Sequence, residues 1–351
     1  MSTWASHSSN VPAGRGELES AVSSPVNDRT VVRSIVEEVF STGSRPRIHA
    51  LGGSDHRVYR VRGTDYDHVV KFCREPEFVG RTVRVITVLR WLAEHTAVPV
   101  PPVTASDCSG AVVPVPYLVT PYLGELSSAS DLVHVSPEAL RSLGAALGRL
   151  HSETECDGFG VPHVSESGAI TGSDDSWADT LDTILQGYLD TIDGTPFQAI
   201  AERIYATFDR QRAVFEQVTA ASLLHTDLGP TNVRFTSDGV DAIIDWERSL
   251  CGHDVYDLCQ TSVSFFEGPD VCIEERESQF YAGYRSVRHP GGDWNRYRQL
   301  YRPLVHLEPM ATFEMWVDDL PILRSEAVRR LTEDAERALD RATDVEEPND
   351  G

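Results

Sequence analysis

The stretch Leu223-Leu224-His225-Thr226-Asp227-Leu228-Gly229-Pro230-Thr231-Asn232, continuing through Val233 to Ile244 into Asp245-Trp246-Glu247, decides the reading of this chain. Within it, Asp238-Gly239 between Phe235 and Val240 is a strong two-residue hairpin signal favouring a type I′ turn. With those residues as the turn, Asn232 stands opposite Asp245, Val233 opposite Ile244 and Phe235 opposite Ala242, with opposed Cα atoms roughly 5 Å apart. The hairpin then buries an apolar face and presents an amide and a carboxylate on the other, beside Asp227 in the preceding loop. Three oxygen-bearing side chains are expected at one point. Oxygen donors without a cysteine or histidine cluster suit a hard cation that keeps waters and shares substrate phosphates, which describes Mg²⁺ better than Zn²⁺. Asp227 is left to accept a proton from an attacking hydroxyl. Each piece alone is weak, because Asp-Gly hairpins and His-x-Asp are common and most acids of an acidic chain are solvated. Their joint occurrence in this order points to chemistry.

The 351 residues are 40% hydrophobic and 8% aromatic, enough for a real core and, by length, two domains. Against 54 acidic residues stand 31 basic ones, a net charge of −23 that disfavours phosphate backbones and anionic lipid, so neither nucleic acid nor membrane is expected as a partner. No apolar run approaches the roughly 20 residues that span a bilayer, and the N-terminus has no basic segment followed by an apolar one. The expectation is a soluble, cytoplasmic protein. Six cysteines are scattered without a Cys-x-x-Cys pair and read as buried reduced thiols. Lys71 is the only lysine, the other 30 basic residues being arginine. An acid excess with so little lysine fits adaptation to high salt. The surviving lysine is a site candidate in itself, since arginine replaces lysine easily on a surface but poorly where a compact ammonium on a slim stem is required. It would neutralise nucleotide phosphates.

Residues 1–26, rich in Ser, Gly and small residues without periodicity, read as a disordered segment. Residues 27–120 read as a first lobe, which the resemblance given below makes nucleotide-binding: a helix from Val31 to Phe40, short strands at Ile48 to Leu51, Arg57 to Arg62 and His68 to Phe72, a helix from Val79 to Leu92, and apolar runs around Pro114 and Pro116. Residues 121–345 read as mostly helical, with the stripe Leu140, Leu143, Leu147, Leu150 and further helices from Trp177, from Phe197 to Val218 and from Ser325 to Thr343. Residues 346–351 form an acidic tail. Trp177, Tyr188 and Trp316 read as core aromatics, His151 as a helix C-terminal cation and His225 as a loop anchor.

His225-x-Asp227-x-x-x-x-Asn232 followed by Ile243-Ile244-Asp245-Trp246-Glu247 resembles the catalytic loop and metal segment of the aminoglycoside phosphotransferase and choline kinase family, over roughly residues 45 to 320. The resemblance implies an α+β fold of two lobes related to protein kinases, an antiparallel sheet with one main helix followed by a larger helical lobe carrying the catalytic hairpin. It also implies transfer of the ATP γ-phosphoryl group to the hydroxyl of a small alcohol or amino-alcohol, with Mg²⁺. By the same resemblance Asp227 is the catalytic base, Asn232 and Asp245 hold Mg²⁺, and Lys71 contacts the phosphates. Gly53 and Ser54 cover the phosphates, Thr120 to Tyr122 form the hinge that receives adenine, and Asp257 is structural. Neither the acceptor nor the oligomeric state is encoded in these motifs.

Three positions depart from the family. Thr226 replaces the usual Gly after the loop histidine. Asp55-His56 replaces Ser-Asn in the glycine hairpin, where a carboxylate is unfavourable unless it points away or caps a turn. Val85 stands where a helix Glu usually pairs with the lysine, so Glu75 or Glu77 is the expected substitute; otherwise Lys71 is held less firmly. That last departure motivates an alternative, a nucleotide-binding regulatory module of pseudokinase type with little transfer activity. A kinase acting on proteins is disfavoured by the lack of an Asp-Phe-Gly to Ala-Pro-Glu signature.

Overall fold

A computed structural model describes residues 27–40, 45–52, 56–75, 79–124, 135–267, 273–291, 293–319 and 322–343. These fall into two compact units, 27–124 with 241–248, and 135–240 with 249–343. Gly53, Ser54, Asp55 and Glu77 lie outside the described residues.

The first unit is built on an antiparallel sheet of β1 (Arg47–Gly52), β2 (Arg57–Arg62), β3 (Asp67–Phe72), β4 (Ala105–Asp107) and β5 (Tyr117–Pro121), in the order β1-β2-β3-β5-β4. Helix α1 (Asp28–Phe40) turns Val31, Val32, Ile35 and Val36, spaced three and four apart, into a core with Val61, Val70, Phe72 and Val119. At about 2 kcal/mol for each fully buried aliphatic side chain, that stripe holds a 13-residue helix that propensity alone would leave marginal. In the middle of the sheet Lys71 sits across from Val58 on β2 and Leu118 on β5. Helix α2 (Val79–His95) buries Thr82, Val85, Ile86 and Leu89 and ends before the proline cluster. Pro99 in that cluster accepts the Ile243 N–H at 2.7 Å, tying the 241–248 segment to this unit.

The second unit is mostly helical: α3 (Pro137–Glu153), α4 (Trp177–Ile192), α5 (Gln198–Phe215), α6 (Asp254–Phe266), α7 (Ile273–Arg285), α8 (Trp294–Val305) and α9 (Arg324–Thr343). The start of α3 is fixed by Ser136, whose Oγ accepts the Ala139 N–H at 3.1 Å, and by Pro137 in the first turn. Its leucine stripe is fully buried. Strands β6 (Glu155–Cys156), β7 (Ala221–Leu224) and β10 (Leu250–Gly252) form a sheet in the order β10-β7-β6, and β8 (Val233–Thr236) pairs with β9 (Gly239–Ile243). Among the described residues no helix is long and apolar enough to cross a membrane.

The β8–β9 hairpin differs from expectation by one residue. Its turn is Ser237-Asp238, and Gly239 opens β9 with φ 122°, so Asn232 and Asp245 are not rungs of the ladder. Pro230 starts a 3₁₀ turn that holds Asn232 ahead of β8, and Asp245 leaves the chain's extended course with φ 67° two residues past the end of β9. The expected cross-strand pair is replaced by two separately held side chains.

Candidate active site

In the second unit the loop after β7 is clamped by one carboxylate. Asp257, fully buried on α6, accepts the His225 N–H at 2.9 Å and the Thr226 N–H at 2.8 Å, one on each oxygen. Burial pushes the Asp257 carboxyl up, but the hydrogen bond from His151 and the surrounding donors prevail and hold it below the usual carboxylate range. His151 is in the last turn of α3 as expected, and it is buried, with Nε2 at 3.2 Å from Asp257 and Nδ1 at 3.0 Å from the Tyr284 hydroxyl. The His225 ring accepts the Asp227 N–H on Nδ1 at 3.2 Å, which bends the chain so that Asp227 emerges half-buried from a buried loop. Thr226 makes this bend with φ 57°, the left-handed region where a glycine would be unstrained. Its carbonyl accepts a hydrogen bond from the buried Gln260.

Asp227 and Asn232 are brought together. The Asn232 amide nitrogen donates to the Asp227 carbonyl at 2.7 Å and to its Oδ2 at 3.3 Å. That commits the nitrogen and leaves Oδ1 as the atom able to face a cation.

In the first unit Lys71 and Asp245 are brought together. The ammonium is 2.6 Å from Asp245 Oδ1 and 3.0 Å from Glu247 Oε2, with 18% of its side chain exposed. Burial pulls its pKa down, but the two carboxylates overcome that and hold it above the ordinary lysine value. Glu247 is likewise pushed up by burial and held well below its ordinary value by His56 and Lys71. Between the two acids Trp246 is fully buried, its indole N–H donating to the Ile243 carbonyl at 2.9 Å, which fixes the segment.

Of the two expected substitutes for the missing helix Glu, only Glu75 lies among the described residues, and it is engaged elsewhere. Glu75 receives Arg57 at 3.0 Å, and Val85 is buried among apolar groups. Lys71 is nonetheless firmly held, by Glu247, because a partner 176 residues downstream is supplied by tertiary packing. Helical spacing on α2 could not have found it. The usable signal was a second carboxylate two residues after Asp245, across a tryptophan that has to be buried. At the end of β5, Thr120 pairs with Val69, and the Tyr122 N–H is donated to the Asp67 carbonyl at 2.9 Å. Arg60 lies 3.6 Å over the Tyr122 ring and forks onto Asp67. The Tyr122 N–H is thus committed within the sheet.

The oxygen-only character of Asn232 and Asp245 fits Mg²⁺. Among the described residues no group of three or more His, Cys, Asp or Glu is placed to hold a metal ion. The second unit also holds a cavity of about 210 Å³ bordered by Gln260, Ser264, Glu267, His306, Trp316 and Asp334. Its wall is shared with the catalytic loop through Gln260. Trp316, expected in the core, is half-buried at this cavity, whereas Trp177 is a core residue as expected.

The sequence matches the model of the Phosphotransferase enzyme family over residues 48–300. The chain belongs to that family, and its fold is the protein-kinase-like fold of such enzymes. Among solved structures, a Ralstonia eutropha protein assigned as an aminoglycoside phosphotransferase superposes with a TM-score of 0.64 at 16% identity, covering 90% of this chain and 98% of that one. The aminoglycoside phosphotransferase APH(4)-Ia superposes with 0.61 at 16%, covering 89% and 99%. A thermostable mutant of the latter, solved as a ternary complex with AMP-PNP and hygromycin B, gives 0.59 at 17%, covering 88% and 98%. In sequence, an Arabidopsis thaliana protein named as the acyl-CoA dehydrogenase IBR3 is 28% identical over 219 residues, 60% of this chain. The chain spans only 25% of that relative's length.

Proposed function

We propose that the chain is an ATP-dependent small-molecule kinase that transfers the γ-phosphoryl group to an acceptor hydroxyl, with Asp227 as catalytic base. The observation that carries this reading is the Asp227–Asn232 contact on a loop whose main chain is clamped by Asp257. A half-buried carboxylate on a fixed bend suits a group that orients a hydroxyl and takes its proton as the new O–P bond forms and the bond to the β,γ-bridging oxygen breaks. Lys71 would neutralise the phosphates, with Gly53 and Ser54 covering them and Thr120 to Tyr122 receiving the adenine. Asn232 and Asp245 would hold Mg²⁺, which when bound supplies charge neutralisation for the phosphates. The acceptor would be a small alcohol or amino-alcohol, and the cavity beside Gln260 is a candidate place for it. That APH(4)-Ia was crystallised with AMP-PNP and hygromycin B is consistent with a nucleotide and a small-molecule acceptor here. The pairing of Lys71 with Glu247 supports the kinase over the regulatory-module alternative, which was motivated by Val85 in place of the usual helix Glu.

The test is ADP release with Mg²⁺ and ATP over a panel of amino sugars, choline-like alcohols, plain sugars and homoserine, with Asp227→Ala alongside. Acceptor-dependent turnover should fall by about 10²- to 10⁴-fold in the variant while AMP-PNP affinity changes little. An undiminished rate would sink the role given to Asp227.

A further inference from the structure

We propose that Glu247 is the positioning residue for Lys71, doing from the 3₁₀ turn after Asp245 the work that no carboxylate on α2 can do. The inference rests on the kinase reading above. Lys71 has two acid partners, Asp245 at 2.6 Å and Glu247 at 3.0 Å. Asp245 is also the proposed Mg²⁺ ligand, so its hold on the ammonium is shared. Glu247 is itself fixed from several sides. Its Oε2 lies 2.9 Å from His56 Nδ1, and its main-chain carbonyl accepts from Arg84 at 3.2 Å. His56, 3% exposed, is fixed in turn by Thr82 Oγ at 3.0 Å from Nε2.

With Nδ1 donating to the carboxylate, Nε2 is placed to accept the threonine hydroxyl, so Thr82, His56, Glu247 and Lys71 form one chain of contacts. An exposed ion pair contributes little and leaves both side chains mobile. Here the Glu247 side chain is 15% exposed and the lysine 18%. The pair therefore holds a long, flexible side chain in one place before a nucleotide arrives, as preorganised charge stabilisation requires. The departure at the glycine hairpin acquires a reason as well: His56, in place of the usual Asn, is the donor that keeps Glu247 aimed.

Because Lys71 is the only lysine, lysine-selective ¹⁵N labelling gives a single side-chain ammonium signal, which reports its hydrogen bonding without any knowledge of the acceptor. In the full chain that signal should be narrow and protected from exchange, and it should shift and broaden in Glu247→Gln. Mg·ATP turnover to ADP in Glu247→Gln should fall roughly tenfold or more, with adenosine affinity unchanged and AMP-PNP affinity reduced by less than about threefold. The double variant Lys71→Met/Glu247→Gln should be no slower than Lys71→Met, since one residue acts through the other. His56→Gln, a milder change, should shift the signal in the same direction. Strictly additive losses in the cycle, or an unmoved Lys71 signal in both single variants, overturn the positioning role while leaving the kinase reading intact. A wild-type chain that binds adenosine no worse than AMP-PNP and releases no ADP overturns the kinase reading, and the positioning role with it.

Discussion

Thr226 holds φ 57° in the loop that carries Asp227, a conformation in which the Cβ of a branched residue crowds the following carbonyl. The cost of that region for an L-residue is about 1–2 kcal/mol, while a glycine introduced there gives up roughly 0.5–1 kcal/mol in unfolded-chain entropy. The balance favours relief. Thr226→Gly is expected to raise stability by about 0.5–1 kcal/mol, read as a higher urea midpoint at constant slope. A lower midpoint would mean the threonine side chain contributes more than its backbone costs. The spacing of His225, Asp227 and Asn232 was legible from sequence, because a catalytic loop constrains residue types at fixed intervals. The bend at Thr226 was not, since local propensity places a β-branched residue anywhere but at positive φ. Glu247 was missed for the opposite reason: its place two residues after Asp245 does not say which residue it meets, and packing of α2 and the 241–248 segment brings it to Lys71.

The crossing of α3 and α7 transmits packing to the loop. A Cβ added at Gly144 would stand 1.9 Å from the Phe280 carbonyl, and one at Gly283 would stand 2.0 Å from the Arg141 carbonyl, so the helices touch backbone to backbone. His151 near the end of α3 reaches Asp257, which clamps His225 and Thr226. Pushing α3 away from α7 therefore disturbs the catalytic loop as well as the core. Gly144→Ala is expected to cost about 3 kcal/mol, the upper part of the range for overpacking a close contact, and to lower turnover more than nucleotide affinity. Chemical denaturation and steady-state kinetics on the same preparation check both. An unchanged midpoint would show that the helices part without penalty. The leucine stripe of α3 could be read from its spacing, as could α1 and α2, because a buried helix face repeats every three or four residues. Which helix lies against the glycines is carried by residues about 140 positions away, and periodicity holds no information about that partner. The hairpin turn failed by one residue for a related reason: Gly239 is needed at φ 122° inside the strand, a use of glycine that the Asp-Gly turn signal does not distinguish.

Over the whole molecule two electrostatic effects oppose each other as pH falls. A net charge of −23 strains the folded state through self-repulsion, and the uptake of protons by surface groups as the pH falls relieves it. Against this stand buried carboxylates whose ionised forms are built into the fold. Glu267, 15% exposed, is held by Arg302 at 3.0 Å and by His306 at 3.1 Å. Burial pushes its carboxyl up, but His306 and Arg302 prevail and bring it to about 2 from an ordinary 4.5. The folded pKa lies below the unfolded one, so the unfolded chain binds more protons between them. Stability owed to Glu267 is fully present above about pH 4.5 and is lost as the pH falls toward 2. Asp257 and Glu277 are depressed in the same direction and add to that slope. At low salt the urea midpoint should rise slightly from pH 7 to about 5 and fall below about 4.5. In 1 M KCl, where the screening length shrinks to about 3 Å, the midpoint at pH 7 should be higher and the rise should disappear, because repulsion between surface charges is already screened. The acid limb should survive, because buried pairs are screened far less. In Glu267→Gln that limb should flatten. If the acid limb vanishes in KCl along with the rise, the pH dependence is a property of the surface and the buried pairs do not contribute to it.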